Sequence, residues 1–173
     1  MPKKHKFNIF PEMIQEDYSR LKNDLINNGF DPKTPIYLFE GEILDGWNRF
    51  KACQELNITP EYVDFEGSDN EAINFVMRTN KRRNLTSSQW ACIAVEADEI
   101  VGAIKAEARA RSLSNLKKGD EKPDPQLIAG REESSEKIAD MFNTNRQYVR
   151  DAEKHKTENP EIFEAVKNGV KKW

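Results

Sequence analysis

Three short signals fix where helices must begin in this chain. Ser68-Asp69-Asn70-Glu71, Thr86-Ser87-Ser88-Gln89 and Thr144-Asn145-Arg146-Gln147 each place a hydroxyl three residues ahead of a Glu or Gln. Such a pair satisfies two of the backbone N–H groups that a helix start leaves without partners, so each tetrapeptide predicts a start. The first opens onto Ala72, Ile73, Phe75, Val76 and Met77. The second opens onto Trp90, Ile93, Ala94, Ala97, Ile100, Val101 and Ile104, a broad apolar stripe at helical spacing that frays near Ser112 to Leu116.

Ahead of Ser68 the pattern is mixed. Tyr18, Leu21, Leu25 and Ile26 recur at helical spacing within Gln15 to Asn28, and Gly29 stops that run. Pro35 to Phe39 is rich in β-formers, Glu40-Gly41 suits a two-residue turn, and Glu42 to Asp45 completes a hairpin. Gly46 ends the second strand, Trp47 to Leu56 reads as a helix, and Glu61 to Phe65 as a further strand. The expectation is an α+β chain. An α/β domain over 1–85 is followed by an all-helical domain over 86–173, with the boundary at Asn84 to Thr86.

Composition narrows the function classes. No run approaches the roughly 18 apolar residues of a membrane span, and the basic start Met1 to Lys6 lacks the apolar stretch of a secretory signal. The expected location is therefore the cytoplasm, with no membrane partner. Cys53 and Cys92 lie far apart and read as reduced thiols, and no Cys/His spacing suits a metal, so no metal ligand is expected. His5 and His155, the only histidines, have no Ser or Cys partner nearby in sequence. The net charge of −3 runs against a nucleic-acid binder, but cations cluster at Lys81-Arg82-Arg83, Lys105 to Lys118 and Arg146 to Lys156. Lys117 to Glu133, with two Gly and two Pro among charges, reads as a loop.

Residues 135–156 carry the most informative pattern. Ile138 to Phe142 suits the end of a first helix, with Ala139 small enough for a close crossing and Asn143 at a turn that favours a left-handed backbone. Thr144 begins a second helix whose Val149 and Ala152 face back toward the first. Asn145, Arg146, Gln147, Arg150 and Lys154 then face outward, with Tyr148 at the edge, free to contact a backbone or to pack. Together this is a helix-turn-helix, with Thr144, Asn145, Arg146, Gln147, Tyr148, Arg150 and Lys154 as expected DNA-contacting residues. The competing reading is a helical hairpin with a polar face. After it, Asn159 caps a last helix with Pro160 in its first position and Gly169 at its end.

Leu44-Asp45-Gly46-Trp47-Asn48-Arg49 is a strand, a glycine and a helix start, an arrangement that favours an anion through backbone N–H groups and the helix dipole. Arg49 and Lys51 add positive charge; taken alone, a Gly-x-x-Arg is a weak signal, and Arg49 reads first as the partner of a surface carboxylate. The order Leu21-x-x-Asp24-Leu25-x-x-x-Gly29, Pro35-Ile36, Gly46-x-x-Arg49-x-x-Ala52 resembles the N-terminal domain of ParB-type partition proteins, in the ParB/sulfiredoxin superfamily. Asn80 to Thr86 resembles that domain's third motif, and the helix-turn-helix follows in the family's order, so the resemblance covers roughly 10–170.

The resemblance implies a nucleoside triphosphate, CTP or ATP with Mg²⁺. Gly46, Asn48, Arg49 and Ala52 would line it, with Asn80 toward metal and Arg82 and Arg83 near phosphate. Trp47, Asn48 and Thr79 depart from the family pattern where it carries a glutamate, an arginine and an acidic residue. Hydrolysis needs such a carboxylate. The expected function is that of a DNA-binding ParB-like protein of a plasmid, phage or mobile element, acting on double-stranded DNA as a homodimer. One alternative is a metal-dependent nuclease or nucleotide hydrolase, with Asp45, Asp64 and Glu66 the nearest carboxylates. A sulfiredoxin-like use of Cys53 and a non-catalytic interaction adaptor are the others.

Overall fold

The structure, a computed structural model, describes residues 1–81, 83–115, 142 and 144–172. The chain divides into two units, Met1–Arg82 and Arg83–Trp173. The first holds α1 (Gln15–Asn28), β1 (Ile36–Phe39), β2 (Glu42–Asp45), α2 (Trp47–Leu56), β3 (Tyr62–Asp64) and α3 (Asp69–Asn80). The second holds α4 (Ser87–Asn115), α5 (Arg146–Glu158) and α6 (Pro160–Lys167).

The three strands form one sheet in the order β2-β1-β3, with β1 antiparallel to β2 and parallel to β3. The hairpin turns at Glu40-Gly41 as its sequence predicts, and both residues take left-handed backbone, φ 52° and 79°. That pair of positive angles matches the right-handed twist of the flanking strands. Glycine adopts it freely; Glu40 does so against its own Cβ. Beyond β2, the Lys3 carbonyl and the His5 N–H bond to the Ile43 N–H and carbonyl, so residues 3–5 close that edge of the sheet.

Side chains alternate across β1, and each face has its own cover. Ile36 and Leu38 meet Ile43, Phe50, Phe30 and Trp47. Beneath them Ala52 and Cys53 of α2 pack on Leu25 of α1. On the opposite face, Tyr37 meets Phe75 of α3 edge-on, and Phe39 lies among Phe7, Phe65 and the buried His5. His5 accepts the Phe7 N–H at Nδ1, 3.1 Å, and its Nε2 lies 3.7 Å from Glu40.

The Ser68 and Thr86 signals form as read. Glu71 accepts from the Ser68 N–H and hydroxyl, both at 2.8 Å. Gln89 accepts from the Thr86 N–H at 3.0 Å while its own N–H donates to the Thr86 hydroxyl. Asn159 behaves differently. Its side chain makes no cap bond, because the residue also closes α5, and its carbonyl instead receives the Ile162 and Phe163 N–H groups.

In the second unit α5 and α6 pack on α4 through Ala91, Cys92, Ala94, Val95, Val149, Ala152, Phe163 and Val166, all buried. A half-buried ion pair, Lys167 to Glu96 at 2.7 Å, fixes the end of α6 against α4. Cys92 and Cys53 are free and fully buried. Burial, with Glu96 adding, pushes the Cys92 thiol up to about 12. Burial also raises Cys53, against the pull of Arg49. No helix among the described residues is long and apolar enough to cross a membrane.

Glu40→Asn places beside Gly41 the residue that best tolerates a left-handed turn. It is expected to raise the unfolding free energy by roughly 0.5–1 kcal/mol, read as a higher urea midpoint at unchanged slope.

Candidate functional site

The first candidate site is the corner where β2 turns into α2. Gly46 makes that corner with φ 93°, and its carbonyl takes the first intrahelical bond, from the Phe50 N–H. The N–H groups of Trp47, Asn48 and Arg49 come before that bond and point out of the helix start. A Cβ on Gly46 would stand 3.0 Å from Arg49 Nη2 and 3.3 Å from the Ile36 Cα, so a methyl there would be tight against both.

Three residues from separate elements meet there. Arg49 donates through Nη2 to the Pro35 carbonyl at 3.1 Å and lies 3.8 Å from Asp45 Oδ2. Its Nε is buried without a hydrogen-bond partner. Asn80, at the end of α3, donates its amide to Asp45 Oδ1 at 3.1 Å and also to the Val76 carbonyl and the Thr79 hydroxyl. The fold thus brings together Gly46, Arg49 and Asn80, and adds Asp45, named in the sequence only as a nearby carboxylate.

The remaining expected residues are placed otherwise. Asn48 accepts the Met13 N–H at 3.3 Å. Ala52 is fully buried against Leu25, so its methyl holds α2 to α1 and presents no surface. Arg83 belongs to the second unit, and Arg82 lies outside the described residues. Lys51 is not a free cation. It holds Glu12 at 2.7 Å, and Glu12 also accepts from Trp47 Nε1 at 3.1 Å. The Lys51 bond pulls the Glu12 carboxyl below its usual range, burial opposing and the Trp47 bond helping. No local pattern marks Glu12 in the sequence, since its partners stand 35 and 39 residues away. Among the described residues no three His, Cys, Asp or Glu side chains are grouped to hold a metal ion.

The second candidate is the outward face of α5. Here the third capping signal is corrected. The N-cap is Asn145, whose Oδ1 accepts the Gln147 N–H at 2.7 Å, and the helix proper starts at Arg146. Thr144 instead donates to the Ser87 carbonyl at 2.7 Å, and the Gln147 amide donates to Asp151 at 2.9 Å. Asn is at least as good a cap as Thr, and with the two adjacent it wins by releasing Thr144 to tie down the chain. Gln147, Arg150 and Lys154 are exposed along one stripe, opposite the buried Val149 and Ala152. Asp151 and Glu158 share it, with Glu158 4.0 Å from Lys154. Arg146 is half-buried, and Tyr148 is packed against the helical core. The expected first helix, with Ala139, the Asn143 turn and the 117–133 loop, lies outside the described residues.

Comparison with protein-family profiles gives no match, and comparison with curated protein sequences gives none either. Among solved structures the chain is similar to a Pnob8-like ParB-N domain, in its C2221 form. The TM-score is 0.53 at 14% identity, over 97% of this chain and 70% of that one. At such identity the likeness shows the fold, which is ParB-N-like: an α/β arrangement with a three-stranded sheet and, among the described residues, six helices.

Two changes test the corner. Gly46→Ala meets both a disfavoured φ and the Arg49 contact, and is expected to cost about 1–3 kcal/mol of unfolding free energy. The second concerns Glu12. Because folding lowers its pKa, its charge stabilises the fold above the ordinary carboxylate value, and that contribution fades as pH falls through the lowered one. Urea midpoints of Glu12→Gln, taken from about pH 6 down to about pH 3, should therefore show a flatter acid limb than those of the unaltered chain.

Proposed function

We propose that this chain is a ParB-like DNA-binding protein of a plasmid, phage or mobile element, which reads duplex DNA with the outward stripe of α5. The observation that carries the reading is a helix capped by Asn145 and exposing Gln147, Arg150 and Lys154, in a chain of ParB-N-like fold. An amide and a guanidinium near a helix start have the reach and donor geometry for base edges in a major groove. Such a helix works in pairs, one per half-site, so the acting species in this proposal is a homodimer.

The same reading gives the corner at Gly46 a nucleoside triphosphate, CTP or ATP with Mg²⁺. The residues fit an anion. Gly46 lets Arg49 and Ile36 close tightly on the corner, and Arg49 keeps a buried Nε without a hydrogen-bond partner. Arg49 and the N–H groups of the first turn would bind phosphate oxygens, with Asn80 alongside. When bound, the metal would neutralise phosphate charge. Asp45 is the one carboxylate of the corner's polar group, and it is already engaged by Arg49 and Asn80. Trp47 stands at the family's glutamate position, so the corner is proposed as a binding device ahead of a hydrolytic one.

A second reading, an interaction adaptor, is favoured by Asp151 and Glu158, which balance Arg150 and Lys154 along the stripe. The two readings separate on one experiment. If α5 reads DNA, affinity for duplex pools must fall as salt rises, and Arg150→Ala/Lys154→Ala should weaken binding at least tenfold and flatten the salt slope by about one unit per lost phosphate contact. Affinity unchanged in the double variant, or no binding at low salt, rejects DNA reading and leaves the adaptor.

A further inference from the structure

The two edges of the sheet are treated differently by the chain. At β2 the edge is closed by residues 3–5, which lie parallel to it and exchange two backbone bonds with Ile43, at 2.7 and 2.9 Å. At β3 nothing comparable is found among the described residues. The Ile36 N–H bonds to the Glu61 carbonyl, and the Phe65 N–H to the Leu38 carbonyl. Residues 61, 63 and 65 therefore turn their backbone toward β1. In a parallel ladder the alternate residues turn theirs away, so Tyr62 and Asp64 direct their N–H and carbonyl groups outward.

Every residue of β3 is exposed, Tyr62 at 42% and Val63 at 43%. Unpaired edges invite another strand, and chains commonly blunt them with cations or proline. Over 61–66 this edge carries neither, and the nearest proline, Pro60, stands just ahead of it. Its flanking charges are all carboxylates: Glu61, Asp64 and Glu66, each exposed.

We propose that the β3 edge is a docking site for an extended, lysine- or arginine-rich segment of another protein, which pairs with the outward backbone of Tyr62 and Asp64 as a fourth strand. Three lines on this molecule select that occupant. Backbone pairing gives affinity to any extended segment, whereas side-chain charge decides which one. Three carboxylates in six residues, 61–66, reward cations and repel acidic strands. A second copy docking edge to edge would set the same carboxylates against one another. The opposite edge, meanwhile, already accepts a lysine-bearing extended segment, Lys3 to His5, so a strand of that chemistry suits this sheet. The inference stands apart from the DNA reading and from the Gly46 corner.

The test uses the full chain and a fluorescent peptide of alternating Lys and Val, with alternating Glu and Val as its counterpart. Saturable anisotropy with the cationic peptide is expected, together with new hydrogen-exchange protection at the Tyr62 and Asp64 amides. Asp64→Pro removes one outward N–H together with one carboxylate and leaves the inward bonds of Val63 and Phe65, so it should weaken binding about tenfold or more. Glu61→Lys/Glu66→Lys alters side chains alone and should weaken it comparably at low salt, which keeps the test open if the proline disturbs the ladder. No binding, equal binding of the acidic peptide, binding that leaves both amides unprotected, or binding indifferent to the charge reversal would each overturn the proposal. So would a concentration-dependent doubling of mass abolished by Asp64→Pro, which would make the occupant a second copy.

Discussion

The close approach at Gly46 is the constraint on which the first unit rests. With only a hydrogen at that Cα, β2 passes into α2 in a single residue, and the Arg49 side chain folds back over the corner to reach the Pro35 carbonyl. α2 then leaves the sheet at the angle that seats Phe50 on Ile36 and Ile43 and sets Ala52 and Cys53 against Leu25. A longer connection would let the helix swing. The polar group of Asp45, Arg49 and Asn80 exists because β2, α2 and α3 all end or begin at this one point.

That economy explains what could be read in advance. Gln15–Asn28, Glu42–Asp45 and Trp47–Leu56 stand where periodicity and glycines put them, because each is bounded by a local breaker: Gly29, Gly41 and Gly46. The capping signals at Ser68 and Thr86 were legible for the same reason. The one at Thr144 was not, since a neighbouring Asn offers an equally good oxygen and the choice turns on a bond to Ser87, 57 residues away. Distance in sequence also hid Glu12, and the parallel partner of β1. Short-range patterns fix where an element begins; they carry no information on which remote group it will meet.

The site residues sort along the same line. Gly46, Arg49 and Asn80 come together because backbone geometry at the ends of elements brings them there, whereas Ala52, read as lining, is spent on the contact between helices. On α5 the split falls within about two turns. Val149 and Ala152 belong to the core with Phe163, Tyr148 leans on it, and Gln147, Arg150 and Lys154 remain outside. The apolar spacing of Val149 and Ala152 sets that phase, which holds although the helix starts at Arg146 and not at Thr144.

The two cysteines have a use that their chemistry alone would not suggest. Each unit holds one thiol, fully enclosed and disinclined to ionise, Cys53 between α1 and α2 and Cys92 under Phe163. A reagent selective for thiolate reaches either one only when its surroundings part. Nature has in this way left a silent clock in each half of the molecule, and their ticking rates, followed separately, tell whether the two halves come apart together or one at a time.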